Sequence, residues 1–159
     1  MIDYNETFAL VARLEAVRLL LAFASMKGFM LFQMDVKSAF LNGIVNEEIF
    51  VSQPPGFEDH LHPNHVFKLK KPLYGLKQAS RKWYERLSSF LLSHQYERGK
   101  IDKTLFIKKS DSTIILVQIY VDDIIFGSSN DQLCKDFVKA MQGEFEKSMM
   151  GELFFFLGL

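Results

Sequence analysis

A chain of 159 residues is one domain or part of a larger one, and 48% hydrophobic with 24% charged residues excludes a disordered or collagen-like polymer. Nineteen Lys and Arg balance nineteen Asp and Glu, and a neutral total by itself argues against a phosphate-binding partner. The distribution reverses that inference: from Lys68 to Lys109 twelve Lys/Arg stand against three Asp/Glu, so a middle of +9 is hidden between flanks totalling −9. Without further motifs, a basic stretch of this kind reads equally well as a solvated helix face.

In chain order, Leu14 to Met26 reads as a helix, with Leu14, Val17, Leu20, Leu21 and Ala24 at helical spacing and Gly28 to end it. Phe29 to Val36 reads as a strand, whose alternation puts Leu31, Gln33 and Asp35 on one face and Phe32, Met34 and Val36 on the other. Pro54-Pro55-Gly56 marks a loop from Gln53 to Pro63, followed by a short strand at Val66 to Leu69. Leu76 to Ser93 reads as a helix with an apolar stripe of Ala79, Trp83, Leu87, Phe90 and Leu91, and with Lys77, Arg81, Lys82 and Arg86 off that stripe. Thr104 to Lys108 and Thr113 to Tyr120 read as strands around an Asp111-Ser112 turn, and Ile124 to Gly127 as another. Ser129 with Gln132 matches a capping box for a helix that carries Leu133, Phe137 and Met141 on one face. Cys134, the single cysteine, reads as a small buried residue on that helix and precludes an intrachain disulfide, which fits a reducing compartment. The apolar run Leu153 to Leu159 reads as a last strand. The early apolar run Leu19 to Met26 is too short to cross a membrane, and no membrane partner is expected. Strands adjacent in sequence among a few helices indicate an α+β fold with an antiparallel sheet.

The segment Ile114 to Phe126 carries the strongest chemical signal. Asp122 and Asp123 sit between apolar strands, where like charges repel and burial penalises both. A hairpin turn that exposes them removes the cost without any metal. The other solution is a divalent cation, which requires the hairpin to bring both carboxylates to one site. Asp35, near the end of its own strand, reads as a turn-former or as a third ligand. Three Asp at the ends of two strand units can hold two Mg²⁺, the arrangement that activates an attacking oxygen and stabilises a leaving one in phosphoryl transfer. His60, His62 and His65 cluster in a polar loop without a fourth zinc ligand and read as surface residues, and His94 reads as a partner of the last helix carbonyls.

Five blocks in order then resemble one family. Tyr120-Val121-Asp122-Asp123 matches the Y-x-D-D box of reverse transcriptases, and Gln118 to Gly127 around it resembles the copia-type retrotransposon branch. So do Gln33-Met34-Asp35-Val36-Lys37-Ser38-Ala39-Phe40-Leu41-Asn42-Gly43, Gln53-Pro54-Pro55-Gly56-Phe57, Leu73-Tyr74-Gly75-Leu76-Lys77-Gln78-Ala79, and the C-terminal Met149-Met150-Gly151-Glu152-Leu153 with Phe155-Phe156-Leu157-Gly158-Leu159.

The resemblance implies a palm-like antiparallel sheet packed with helices, part of an RNA-directed DNA polymerase within a Pol polyprotein. It implies attack of a primer 3′-hydroxyl on a deoxynucleoside triphosphate, with RNA or DNA template and primer as partners. Asp35, Asp122 and Asp123 match the metal carboxylates, for two Mg²⁺ with Mn²⁺ as the alternative ion. Phe40 falls where the family places a bulky residue against a ribose 2′-hydroxyl, although its residue type alone reads as core. Tyr120, Gly75 and Gln78 belong to blocks expected at the nucleotide and template, with Gly75 allowing close backbone approach. Lys77, Arg81, Lys82 and Arg86 are expected along template or primer phosphates. Basic fingers residues are expected before Met1, and thumb and ribonuclease H regions after Leu159. Such a polymerase works in cytoplasmic particles, with its product entering the nucleus. Leu10 and Ser80 each replace a usual Pro. An active polymerase palm and an inactive remnant that at most binds nucleic acid both stay open at this level.

Overall fold

The computed structural model describes residues 12–156 apart from Lys77, Asp111, Lys147 and Phe155, with backbone alone for 148–150. Expectations that fall on Leu10, Lys77, Asp111, Phe155 and Leu157 to Leu159 lie outside the described residues.

Helix α1 (Leu14–Lys27) ends at Gly28, whose φ of 68° is the left-handed conformation that glycine adopts without a Cβ penalty. Strand β1 (Met30–Asp35) follows, then a 3₁₀ turn at Ala39–Asn42 and a separate two-stranded ribbon, β2 (Phe50–Ser52) with β3 (Val66–Lys68). Helix α2 (Ala79–Ser93) leads to the two-residue β4 (Glu97–Arg98), then β5 (Leu105–Ser110), β6 (Thr113–Tyr120) and β7 (Asp123–Ser128). Helix α3 (Asp131–Glu144) and β8 (Ser148–Glu152) complete the described elements. The main sheet has six strands in the order β4-β5-β6-β7-β1-β8, and every pairing is antiparallel. This is the α+β architecture expected from the strand order.

The sheet is covered on both faces. Met34, Val36, Val117, Ile119, Ile124 and Phe126 pack one face against α2 and α3, through Trp83, Leu87 and Leu91 and through Phe137 and Met141. Leu31, Leu116 and Ile125 pack the other face against Val17, Leu20 and Ala24 of α1. The alternation expected for β1 therefore holds, with Leu31 on one side and Met34 and Val36 on the other. Among the described residues, no helix is long and apolar enough to cross a membrane.

Several boundaries differ from the sequence expectations. Helix α2 begins at Ala79 rather than Leu76, because Leu76 is still engaged in turn bonds: its N–H donates to the Leu73 carbonyl at 3.2 Å and its carbonyl accepts from the Ala79 N–H at 3.1 Å. The cap of α3 is Asn130, not Ser129: Asn130 Oδ1 accepts from the Gln132 backbone N–H at 2.8 Å, while the Ser129 hydroxyl accepts from the Ile114 N–H. Among the described residues the last strand is Ser148–Glu152, before the apolar run, and of that run Leu153, Phe154 and Phe156 lie outside any strand. That strand finds its partner in β1, across an irregularity between Gln33 and Met34, so pairing geometry outweighs apolar content.

Candidate active site

Strand β7 pairs with β1 on one side and with β6 on the other. Its first residue, Asp123, lies opposite Asp35 on β1 and opposite Tyr120 on β6. Directly opposed residues share a face with Cα atoms about 4.5–5.5 Å apart. Tyr120, Asp123 and Asp35 thus form one row at the sheet end, with Asp122 in the β6–β7 turn beside them. The hairpin that the sequence required is present. Its turn residue Val121 has a φ of 55°, an unusual value for a β-branched side chain. Two bonds hold this strained turn: Trp83 Nε1 donates to the Val121 carbonyl at 2.8 Å, and the Val36 N–H donates to the Asp122 carbonyl at 3.3 Å.

Burial first, and then the charges of Asp122 and Asp35, push the Asp123 carboxyl above its ordinary value. Gln33 opposes this by donating from Nε2 to Asp123 Oδ1 at 2.8 Å. Among the described residues no Lys or Arg pairs with Asp35, Asp122 or Asp123, and the row offers hard oxygen donors, which suit Mg²⁺ or Mn²⁺ in kind. Among the described residues, no three His, Cys, Asp or Glu side chains are gathered closely enough to form a ready-made metal cluster. The chemistry of the donors fits a divalent cation, while the carboxylates stand side by side without converging.

Phe40 lies in the 3₁₀ turn after β1 and is buried to 9% exposure, as its residue type alone suggested. Besides Tyr120, an exposed aromatic within reach of the carboxylate charges is Tyr74. Its ring centroid lies 4.5 Å from that of Phe40, and the residue is 54% exposed. Burial of its hydroxyl, with the charges of Asp122 and Asp35, pushes the Tyr74 phenol above its usual range. Tyr74, Gln33 and Trp83 are site residues that the sequence expectations did not assign to the site; the first two lie inside the family-like blocks, and Trp83 was expected only on the apolar stripe of its helix. Tyr120 packs edge-on against Phe156 at 5.4 Å. Gly75 is exposed with open space where a Cβ would be, so its positive φ is what calls for glycine. Gln78 is the half-buried residue before α2.

The whole chain, residues 1–159, matches the family described as reverse transcriptase (RNA-dependent DNA polymerase). It is 37% identical over 99% of its length to the retrovirus-related Pol polyproteins from transposons RE1 and RE2 of Arabidopsis thaliana. It is 36% identical over 92% of its length to that from transposon TNT 1-94 of Nicotiana tabacum. The chain belongs to the reverse transcriptase family. It spans 11% of the length of each of these three polyproteins. No solved structure matches it significantly.

In this member of the family, the described basic side chains of α2 already lie in ion pairs. Arg81 Nε lies 2.9 Å from Glu85, and Lys82 lies 3.5 Å from Glu85 and 3.8 Å from Glu47. Arg86 pairs with Glu144 and stacks over the Phe145 ring. The Lys82 side chain is only 12% exposed. The histidine loop behaves as a surface: His62 stacks on His65 and its Nδ1 lies 3.1 Å from Asp59. His94 caps α2, its Nδ1 2.9 Å from the Phe90 carbonyl. Cys134 is buried on α3, and burial pushes its thiol up to about 11.

Proposed function

We propose that this chain is the palm-like catalytic core of a copia-type RNA-directed DNA polymerase, which extends a primer 3′-hydroxyl with deoxynucleoside triphosphates. The observation that carries the reading is the Asp35–Asp123 pair opposed across β1 and β7, with Asp122 in the adjoining turn. Asp35, Asp122 and Asp123 would hold two Mg²⁺, or Mn²⁺. When bound, such ions lower the cost of an attacking alkoxide and of the leaving pyrophosphate. The chain's own residues do the rest. Trp83 fixes the carboxylate turn, Gln33 orients Asp123, and Tyr74 over Phe40 offers an aromatic edge for the sugar and base of the incoming nucleotide.

Phosphate contact by Lys77, Arg81, Lys82 and Arg86 stays part of this proposal. For the last three, engaging a phosphate means giving up Glu85, Glu47 or Glu144. The rest of a Pol polyprotein would supply the regions around this core.

Primer extension with Mg²⁺ or Mn²⁺ tests the reading, with Asp122→Asn as the blank. Extension by the wild type and none by the variant is expected. A wild type that binds primer-template but does not extend it would instead favour an inactive remnant.

A further inference from the structure

With the described basic side chains of α2 in ion pairs, a second basic feature lies at the same sheet end as the carboxylate row. The loop from Gly99 to Lys103, between β4 and β5, carries Lys100 and Lys103, both exposed. Neither has an ion pair among the described residues, and Ile101 between them is fully exposed at the loop tip. The one acid of the loop is turned inward. Asp102 Oδ1 accepts from the Thr104 N–H at 2.8 Å and from Thr104 Oγ1 at 2.5 Å, and Asp102 Oδ2 accepts from the buried Gln118 Nε2 at 3.2 Å. The Gly99 N–H donates to the Leu105 carbonyl at 2.7 Å, and a Cβ at Gly99 would collide with the Asp102 carbonyl. The loop is thus a braced turn that presents positive charge and withholds its negative charge.

Its position matters as much as its charge. The Ile119 N–H donates to the Thr104 carbonyl at 2.9 Å, so Lys103 stands level with Tyr120 and at the same sheet end as the Tyr120–Asp123–Asp35 row. Two strand spacings separate Lys103 from Asp123, about 10 Å, or the rise of about three nucleotides along one strand. One helix holds both features: Trp83 donates to Val121 in the carboxylate turn, and the next residue, Tyr84, donates from its hydroxyl to the Lys103 carbonyl at 2.6 Å.

We infer that the Gly99–Lys103 loop is a nucleic-acid contact, with Lys100 and Lys103 taking phosphates of the primer-template duplex beside the carboxylate row. The inference rests on the polymerase reading for its partner. The loop also overhangs an apolar groove of about 570 Å³ between α1 and β5–β6, and a protein segment seated there is the competing outcome.

The test measures primer-template binding of the full chain by fluorescence anisotropy from 50 to 200 mM salt. Wild type is compared with Lys100→Glu/Lys103→Glu and with a control of equal charge change on α3, Lys135→Glu/Lys139→Glu. The loop variant is expected to bind more weakly and to lower the slope of log affinity against log salt by about 2, with an unchanged melting temperature. The control is expected to move far less. Equal weakening by both variants, or no weakening by the loop variant, overturns the inference while leaving the polymerase reading intact. A wild type that binds no primer-template overturns both.

Discussion

Gln33 donates a 2.8 Å hydrogen bond from its Nε2 to Oδ1 of Asp123, across the β1–β7 pair and within the carboxylate row. It is a neutral donor set against a group whose charge is disfavoured by burial and by two like-charged neighbours. Because the folded-state value of Asp123 is raised above the ordinary 3.8, folding takes up a proton in the window between the two. The stabilisation is complete below the ordinary value and is lost as pH rises through the raised one. In the presence of a chelator, Asp123→Asn is therefore expected to melt above wild type at neutral pH. The gap should close as the pH is lowered. Mg²⁺ should raise the melting temperature of wild type more than that of the variant. Parallel melting curves across pH would show that Asp123 carries no such penalty.

Trp83 fixes the turn that holds Asp122. Its N–H satisfies the Val121 carbonyl while Val121 sits at φ 55°, so removing the donor unpairs an acceptor at a strained residue. Trp83→Phe keeps most of the ring packing against Phe145 and deletes the bond. The expected cost is about 1–3 kcal/mol in denaturant unfolding. Primer extension should fall further than that loss of folded protein explains, because the carboxylate turn is no longer pinned.

The faces of β1 were legible from sequence because alternation is a local property: Met34 and Val36 meet one core and Leu31 the other. The β6–β7 hairpin was legible because two adjacent carboxylates in an apolar run require a turn. The pairing of α2 was legible only in part: Arg81 and Lys82 meet Glu85 at helical spacing, but Arg86 meets Glu144, 58 positions away, and no local pattern reports that pairing. The cap of α3 shifted by one residue because Ser128, Ser129 and Asn130 are all capping types, and the choice depends on which side chain the β6 backbone engages. Tyr74 lies within reach of the charges of Asp122 and Asp35 and packs its ring on Phe40, 34 positions earlier, a tertiary contact that a chain reading cannot supply.

That contact separates two roles. Phe40 is buried in the main core, so Phe40→Ala is expected to cost about 3–5 kcal/mol and to confound any effect on sugar selection. Tyr74 is largely exposed, and Tyr74→Ala should leave the melting temperature close to wild type. Under the polymerase reading it should raise KM for deoxynucleotides more than it lowers kcat, while Tyr74→Phe retains the ring surface and most of the affinity. Unchanged steady-state constants for Tyr74→Ala would remove Tyr74 from the nucleotide site.

Gly127 couples the core to the site through backbone spacing. It lies opposite Leu31 on β1, and a Cβ there would come within 2.6 Å of both the Met30 carbonyl oxygen and Leu31 Cδ2. A side-chain methyl can rotate away, but a strand carbonyl cannot, so Gly127→Ala must push β1 from β7. The expected cost is about 1–3 kcal/mol by thermal or denaturant unfolding. The same strand pair ends four residues on at Asp35 and Asp123, so the displacement should reach the carboxylates. Primer extension by the folded fraction of Gly127→Ala is therefore expected to fall. Leu31→Ala, which frees the side-chain half of the clash, should not restore it, because the Met30 carbonyl stays in place.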